Sequence, residues 1–163
     1  MSAASERASK RASEQAHRRA HEQANEAAIE GAVLARMLEA ARAARQHAYA
    51  PYSRFAVGAA LLDEHGRIHT GCNVENATYG LTLCAERVAV VKAISDGIRP
   101  HEFRRIAIVA DTESPTPPCG ACRQILWEFA GDIEVVLANL VAETARHSLR
   151  ELLPAPFDGR LLN

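Results

Sequence analysis

Five side chains in two short segments of the sequence could together form a metal-dependent hydrolytic site. Cys84, Glu86 and Arg87 fall within four consecutive residues, and Cys119 and Cys122 form a C-x-x-C pair that follows a proline. Three cysteine thiolates can bind a zinc ion and leave its fourth coordination position for water, as catalytic zinc sites do. A carboxylate that is not a ligand, such as that of Glu86, could then move protons between this water and a substrate.

The spacing of the cysteines places them near the starts of two predicted helices. Cys119 and Cys122 stand at positions i and i+3, so they lie on one face of a helix whose start tolerates the preceding proline. Cys84 falls in the first turn of another predicted helix. Unpaired N–H groups at helix N-termini stabilise thiolates. Because three thiolates and one zinc ion carry a net negative charge, Arg87 is predicted to offset it by donating hydrogen bonds to the ligand sulfurs.

The residues by themselves leave other kinds of site open. A C-x-x-C pair is also common in structural zinc sites and in redox pairs. Cys72 could supply a fourth thiolate and close the zinc site, although a cysteine in a strand is more often a small buried residue. The histidines are dispersed along the chain, and none is assigned to a metal.

The elements that must position these residues follow from the hydrophobic pattern. Helices are predicted at residues 29–48, 81–96 and 119–129, strands at 55–62, 67–73, 103–110, 133–138 and 144–147, and a helical turn at 149–153. A polar turn joins the first two strands into an antiparallel hairpin. The later alternation of strands and helices predicts an α/β fold, here a three-layer α/β/α sandwich with a mixed, roughly five-stranded sheet.

The composition divides the chain into two parts. Residues 1–28 contain no Leu, Val, Ile or Phe, which predicts a polar N-terminal extension that is disordered or a frayed helix. A binding arm that uses Arg18, Arg19 and the neighbouring His17 and His21 is the alternative, although interspersed glutamates weaken it. Residues 29–163 are predicted to form one domain that carries the site, because 163 residues with 48% hydrophobic content suit a single core.

Charge and hydropathy narrow the class of protein. The net charge of −1 argues against nucleic acid as the main partner, because such proteins are usually basic. The sequence has neither an apolar run of membrane-spanning length nor the apolar core of a signal peptide. These features predict a cytoplasmic protein without a membrane partner, in which the four cysteines are thiols or metal ligands.

Longer stretches around the cysteines resemble one family. They are residues 50–53, 55–61, 72–80, 84–87, 118–124, 152–154 and Phe157. Together they resemble the small, homotetrameric, zinc-dependent cytidine deaminases, over residues 29–157. The C-x-E and P-C-x-x-C elements are shared by the wider deaminase superfamily, so the added stretches make the resemblance specific to nucleoside enzymes.

The resemblance implies a zinc ion in each subunit and a hydrolytic reaction. Cys84, Cys119 and Cys122 would be the zinc ligands, Cys72 would not be a ligand, and Glu86 would be the proton shuttle. The implied reaction converts cytidine and 2′-deoxycytidine to uridine and 2′-deoxyuridine with release of ammonia, a step of pyrimidine salvage.

The resemblance also implies the contacts of a small nucleoside substrate. Phe55 would pack against the pyrimidine, the backbone of Ala85 would contact the base, and Asn73 and Glu75 would bind the ribose hydroxyls. The side chains implied to reach a neighbouring subunit's site, in a homotetramer with shared active sites, are those of Ala77, Tyr79 and Phe157.

Other functions stay open at this point. A deaminase of a nucleoside-like antibiotic such as blasticidin S has similar zinc motifs, but the intact polar run 73–76 favours a ribose ligand. A polynucleotide-editing deaminase is disfavoured by the charge balance. A non-catalytic, zinc-stapled interaction module would leave Glu86 and the ribose-contact residues unexplained.

Overall fold

The computed structural model describes the backbone of residues 3–162 and the side chains of residues 15–159, 161 and 162. The chain forms two compact units, Met1–Ala35 and Arg36–Asn163. Helix α1, Ala3–Arg45, runs without a break through residue 28, where the composition changes. The side chains of residues 15–29 are exposed. The division of the chain at residue 28 stays a prediction. Within the predicted extension, the side chains of residues 1–14 lie outside the described residues.

The second unit contains a five-stranded mixed sheet with helices on both faces. Its remaining elements are strands β1 (Val57–Asp63), β2 (Ile68–Cys72), β3 (Phe103–Ala110), β4 (Glu134–Ala138) and β5 (Glu143–Ser148), and helices α2 (Ala85–Ser95), α3 (Gly120–Ala130) and α4 (Leu149–Leu152). The strand order is β2-β1-β3-β4-β5, with β3 and β4 parallel and the other neighbours antiparallel. The predicted α/β class, mixed sheet and strand number are confirmed. Within the described residues, no helix is long and apolar enough to span a membrane.

One helix begins later than its sequence pattern predicts. Residues 79–81 form a short 3₁₀ helix instead of the first turn of α2, which starts at Ala85. Leu83 pairs with Val74 through two backbone hydrogen bonds of 2.9 and 3.0 Å, and this pairing keeps the segment before Cys84 extended. As a consequence, Cys84 is the N-cap of α2, directly beside the end of β2.

Two glycines allow helices to approach the sheet closely. A Cβ atom at Gly71 of β2 would lie 2.4 Å from the carbonyl oxygen of Ala85 in α2. On the other sheet face, a Cβ atom at Gly58 of β1 would lie 2.0 Å from the carbonyl oxygen of Ala41 in α1. Only glycine fits at either position without moving a helix. Gly71 therefore fixes the height of α2, and with it the position of Cys84 and Glu86, above the sheet.

The core fills both faces of the sheet. The largest fully buried apolar side chains are those of Met37, Leu61, Ile106, Ile108, Leu126, Leu137 and Leu149. Alternate residues of a strand point to opposite faces, so the nearly continuous apolar runs of β1 and β3 are what a sheet covered on both sides requires. This rigid core carries the site at one edge, where β1 begins beside the end of β3 and the end of β2.

The hairpin between β1 and β2 is closed by a buried carboxylate. Asp63 is fully buried and accepts hydrogen bonds from the backbone N–H of Arg67 at 2.9 Å and from its guanidinium Nε at 2.8 Å. His69 Nε2 lies 3.1 Å from the same carboxylate. Burial by itself would raise the pKa of Asp63, but the hydrogen bonds of His69 and Arg67 outweigh it and lower the pKa to about 2.

Candidate active site

Three thiols converge at the N-termini of α2 and α3. Cys84 caps α2, Cys119 caps α3, and Cys122 lies in the first turn of α3. Their sulfur atoms all lie within 4.8 Å of one another, and the Cys84 and Cys119 sulfurs are 3.9 Å apart. In a tetrahedral zinc site with Zn–S distances of about 2.3 Å, two ligand sulfurs are separated by about 3.8 Å. The donor set therefore fits one zinc ion.

Cys72 does not belong to this cluster. Among the described residues, the group of cysteine, histidine and acidic side chains close enough to hold a metal contains the other three cysteines only. Cys72 is half-buried in β2, where its backbone pairs with Gly58 of β1. A closed site of four thiolates is thus not built here, and three protein ligands leave one zinc position for another molecule.

The helix ends and their neighbours favour thiolates. The thiol groups of Cys84 and Cys119 make no capping hydrogen bond to the first N–H groups of their helices, and the positive end of each helix dipole stabilises negative charge at its N-terminus. The hydrogen bond of Cys122 lowers the pKa of Cys84 to about 5, with a further contribution from Arg87. The hydrogen bond to Cys84 and burial raise the pKa of Cys122 in turn, so Cys84 is the thiol of this pair that ionises more readily.

Arg87 lies against the cluster. Its Nη2 atom donates to the sulfur of Cys84 at 3.5 Å and to the carbonyl oxygen of Thr82 at 2.5 Å. Its Nε atom is buried and makes no hydrogen bond with the described residues. When zinc is bound, three thiolates and one divalent cation carry a net charge of about −1, and the positive guanidinium would offset it.

Glu86 is a buried acidic residue in the first turn of α2, close after Cys84 in the chain. Its side chain is 5% exposed. Burial raises the pKa of Glu86, and the charge of Cys84 raises it further. A carboxyl group with a raised pKa is a better proton carrier at neutral pH than an ordinary glutamate, because its pKa lies closer to the pH at which it must both accept and release protons.

A cavity opens directly beside the cluster. This inner cavity has a volume of about 250 Å³. Of the residues predicted to contact substrate or metal, those that line it are Phe55, Asn73, Glu75, Cys84, Ala85, Glu86 and Cys119. The ring of Phe55 is 40% exposed at its wall. The structure thus brings together, at one mostly apolar cavity, groups from the start of β1, from the segment that follows β2, from β3 and from the N-termini of α2 and α3.

Residues 31–139 match the family model described as the cytidine and deoxycytidylate deaminase zinc-binding region. The chain belongs to this family. Residues 31–139 include all three clustered cysteines, Glu86 and Arg87.

Named relatives agree with this membership. The chain is similar to cytidine deaminase of Sporosarcina psychrophila, with 50% identity over 123 residues that cover 75% of this chain and 89% of the relative. It is also similar to the crystal structure of cytidine deaminase from Burkholderia pseudomallei, with 52% identity, a TM-score of 0.72, and coverage of 74% of this chain and 96% of that one. The corresponding values for the crystal structure of cytidine deaminase from Mycobacterium tuberculosis are 42%, 0.64, 77% and 97%.

The two residues that the family resemblance assigns to the ribose also make hydrogen bonds to the backbone of the cavity wall. The amide of Asn73 accepts a hydrogen bond from the Val57 N–H at 2.8 Å and donates one to the Phe55 carbonyl oxygen at 2.8 Å. The carboxylate of Glu75 accepts a hydrogen bond from the backbone N–H of Tyr52 at 2.8 Å. Both side chains therefore keep only part of their hydrogen-bonding capacity for a ligand.

The three residues implied to reach another subunit lie apart from the inner cavity. Ala77 is exposed, Tyr79 is 74% exposed, and Phe157 is 57% exposed. Tyr79 lines a second, outer cavity of about 370 Å³ together with Tyr52 and Glu75. The backbone N–H and carbonyl oxygen of Phe157 are both bonded to the side-chain amide of Gln124 in α3, at 3.1 and 2.8 Å.

Several residues of the deaminase site were not identified from the sequence. They are Ser53, Val57, Thr82, Ile108, Thr116 and Pro117, all of which line the inner cavity. Ser53 lies in the stretch 50–53, which resembles the family, and this resemblance is the sequence signal that could have identified it. Thr116 and Pro117 belong to the loop that leads from β3 to α3, and nothing in their spacing indicates that this loop turns over the cavity.

Proposed function

We propose that this protein is a zinc-dependent hydrolase that converts cytidine and 2′-deoxycytidine to uridine and 2′-deoxyuridine with release of ammonia. One observation carries this proposal. The three-thiol cluster and the buried carboxylate of Glu86 meet at a cavity whose other wall carries Phe55, Asn73 and Glu75. Membership of the deaminase family supports the same reaction.

In the proposed mechanism, Cys84, Cys119 and Cys122 hold the metal as thiolates. A zinc ion held by these thiolates would supply Lewis acidity, which favours the ionisation of a water molecule beside the substrate. Glu86 takes one proton from the water that attacks C4 of the cytosine ring and passes it to ring N3. It then takes the second proton from the new hydroxyl at C4 and passes it to the departing amino group. One water molecule is consumed and one ammonia molecule is released, so the carboxylate ends the cycle in the state in which it began.

The remaining assignments concern the substrate. Phe55 packs against the pyrimidine ring, and the backbone of Ala85, which lines the inner cavity, offers a hydrogen-bonding group to the base. Asn73 and Glu75 hold the ribose hydroxyls with the capacity that their contacts to the cavity wall leave free. Arg87 acts on the metal charge through the sulfur of Cys84.

We further propose that the active form is a cytoplasmic homotetramer with shared sites. The exposed rings of Tyr79 and Phe157 support this, because large apolar side chains left in water commonly mark an interface between subunits. In the assembly, these rings and Ala77 would reach the site of a neighbouring copy. Size-exclusion chromatography with light scattering measures the assembly, and a monomer at micromolar concentration would contradict it.

The proposed activity is tested by incubating the zinc-loaded protein with cytidine, 2′-deoxycytidine, CMP and blasticidin S while the ultraviolet absorbance change of deamination is followed. Turnover of the two nucleosides is expected. Glu86→Gln is the matched control, because it removes the proton carrier and retains the shape of the side chain. We expect it to bind zinc at the wild-type ratio and to lose at least about 10⁴-fold in kcat, since two proton transfers depend on one group.

Other results of the same assay would indicate a different function for this protein. Turnover of blasticidin S alone would indicate an antibiotic deaminase. Stoichiometric zinc with no turnover of any free nucleoside would refute the proposed activity and leave a zinc-stapled module. Near-normal turnover by Glu86→Gln would show that another group moves the protons.

A further inference from the structure

The carboxylate of Glu75 is held by one short segment of chain. Its Oε2 atom accepts hydrogen bonds from the backbone N–H groups of Tyr52 at 2.8 Å and Ser53 at 3.2 Å. Its Oε1 atom accepts a hydrogen bond from the hydroxyl of Ser53. The two oxygens are therefore fixed by different groups, one by the backbone and the other by a single side chain.

The hydroxyl of Ser53 has little freedom to make any other contact. Its Oγ atom accepts a hydrogen bond from the backbone N–H of Phe55 at 3.0 Å. A hydroxyl has one proton, and with the Phe55 N–H pointing at its oxygen, that proton is directed at Glu75. Between these residues Arg54 adopts a φ of +58°, a left-handed conformation that is uncommon outside glycine and that brings the Phe55 N–H back towards Ser53.

This arrangement joins two walls of the same cavity. Ser53, Phe55 and Glu75 all line the inner cavity, and Ser53 and Glu75 also line the outer one. The carbonyl oxygen of Phe55 is itself held by the amide of Asn73 at 2.8 Å. The base-packing ring and the sugar-binding carboxylate are thus linked through one serine hydroxyl.

We infer that Ser53 is a positioning residue that aims the Oε1 atom of Glu75 at the substrate's sugar hydroxyl. Ser53 does not contact the reacting atoms, because its proton is already donated to Glu75. It acts by restricting Glu75, so that the remaining lone pairs of one carboxylate oxygen point in a single direction. This inference rests on the proposed function, in which Glu75 binds a ribose hydroxyl.

The backbone contacts distinguish this role from a purely structural one. In Ser53→Ala the N–H groups of residues 52 and 53 still hold Oε2, so the loop stays attached to Glu75. Only the contact with Oε1 and the acceptor for the Phe55 N–H are lost. The hydroxyl of Ser53 is also the main reason that the pKa of Glu75 lies below its ordinary value, which gives an independent signal of the contact.

The test compares kinetics on two nucleosides in three variants. For Ser53→Ala we expect KM for cytidine to rise about 10-fold, the loss of a charge-assisted hydrogen bond at the sugar, with kcat within about 2-fold of wild type. With 2′,3′-dideoxycytidine, which lacks the 2′ and 3′ hydroxyls, KM should change less than about 2-fold. Ser53→Thr keeps a hydroxyl and should restore most of the affinity, whereas Ser95→Ala, at the exposed end of α2, should leave both substrates unaffected. Equal effects on both substrates would overturn the inference.

A second measurement does not depend on activity. The carboxyl carbon of Glu75 is titrated by nuclear magnetic resonance in wild type and in Ser53→Ala. The pKa of Glu75 should rise in the variant, and an unchanged pKa would refute the contact between the two side chains. If the wild-type protein deaminates no nucleoside but the pKa rises, the proposed function fails and the positioning contact stands.

Discussion

Replacement of Gly71 by alanine probes how the sheet sets the geometry of the site. The new Cβ atom would lie 2.4 Å from the carbonyl oxygen of Ala85 and 2.5 Å from the backbone nitrogen of Ala89. A carbon atom needs about 3.5 Å from such neighbours, so α2 has to move away from β2 by about 1 Å. Both obstructing atoms are backbone, so no rotation of a side chain can relieve the contact.

The size of the effect follows from what α2 carries. Its N-terminus holds Cys84 and Glu86, and a displacement of about 1 Å of catalytic groups costs about 100-fold in rate. Forcing an extra methyl group into a close-packed contact costs about 2 kcal/mol of stability, or about 6 °C in Tm for a chain of this length. We therefore expect Gly71→Ala to remain folded at 25 °C and to lose about 100-fold in kcat/KM.

The assay measures kcat/KM for cytidine, bound zinc by emission spectroscopy, and Tm by calorimetry. Gly31→Ala is the matched control, because a Cβ atom at this exposed position in α1 meets nothing within 4 Å. It should leave kcat/KM unchanged and leave stability equal or slightly higher, since alanine favours a helix over glycine. A Gly71→Ala protein with wild-type activity and Tm would refute the close approach of α2 to β2 and its role in placing the site.

Three other outcomes are expected. Cys72→Ala should retain one zinc ion per chain by emission spectroscopy while Cys122→Ala loses it, because Cys72 lies outside the thiol cluster; zinc loss in Cys72→Ala would contradict a three-thiolate site. Phe157→Ala keeps its backbone bonds to Gln124 and should raise KM about 10-fold with zinc unchanged, whereas an unaltered KM would count against a shared site. Asp63→Asn should lower the free energy of unfolding in urea by about 2 kcal/mol at pH 7, because the Asp63 pKa is about 2 instead of 3.8. The stability supplied by ionised Asp63 is complete above pH 3.8 and is lost as pH falls through about 2, so the variant and wild type should converge over that interval; a pH-independent difference would argue against the carboxylate as the cause.

The start of α2 illustrates why element boundaries were harder to predict than elements. The apolar spacing of residues 81–96 is helical, and the helix exists. The pattern could not reveal that Leu83 pairs with Val74, because a backbone hydrogen bond is independent of side-chain type. That pairing, nine residues away in sequence, removes the first predicted turn and makes Cys84 a cap.

Some of the residues that line the inner cavity were identified from the sequence, and others were not. Phe55, Asn73 and Glu75 were found through the resemblance, and all three line the inner cavity. The hydroxyl of Ser53 bonds to Glu75, which lies 22 residues further along the chain. Local periodicity carries no information about a contact over that separation. Thr116 and Pro117 were missed for the same reason, since a loop reaches a site only through the elements that it joins.

The sequence by itself determined the chemistry that the site can offer. The i, i+3 spacing of Cys119 and Cys122, the C-x-E run at Cys84 and the apolar periods of the strands are local properties, and each is encoded within a few residues. Local spacing left open which thiols meet; the family resemblance implied an answer, and the tertiary structure supplies its physical cause. The sheet order β2-β1-β3-β4-β5 brings the starts of α2 and α3 together, so that Cys84 and Cys119, 35 residues apart, lie with sulfurs 3.9 Å from each other while Cys72 stays outside. That choice depends on how the strands are ordered and how closely Gly71 lets α2 approach them, which no local spacing records.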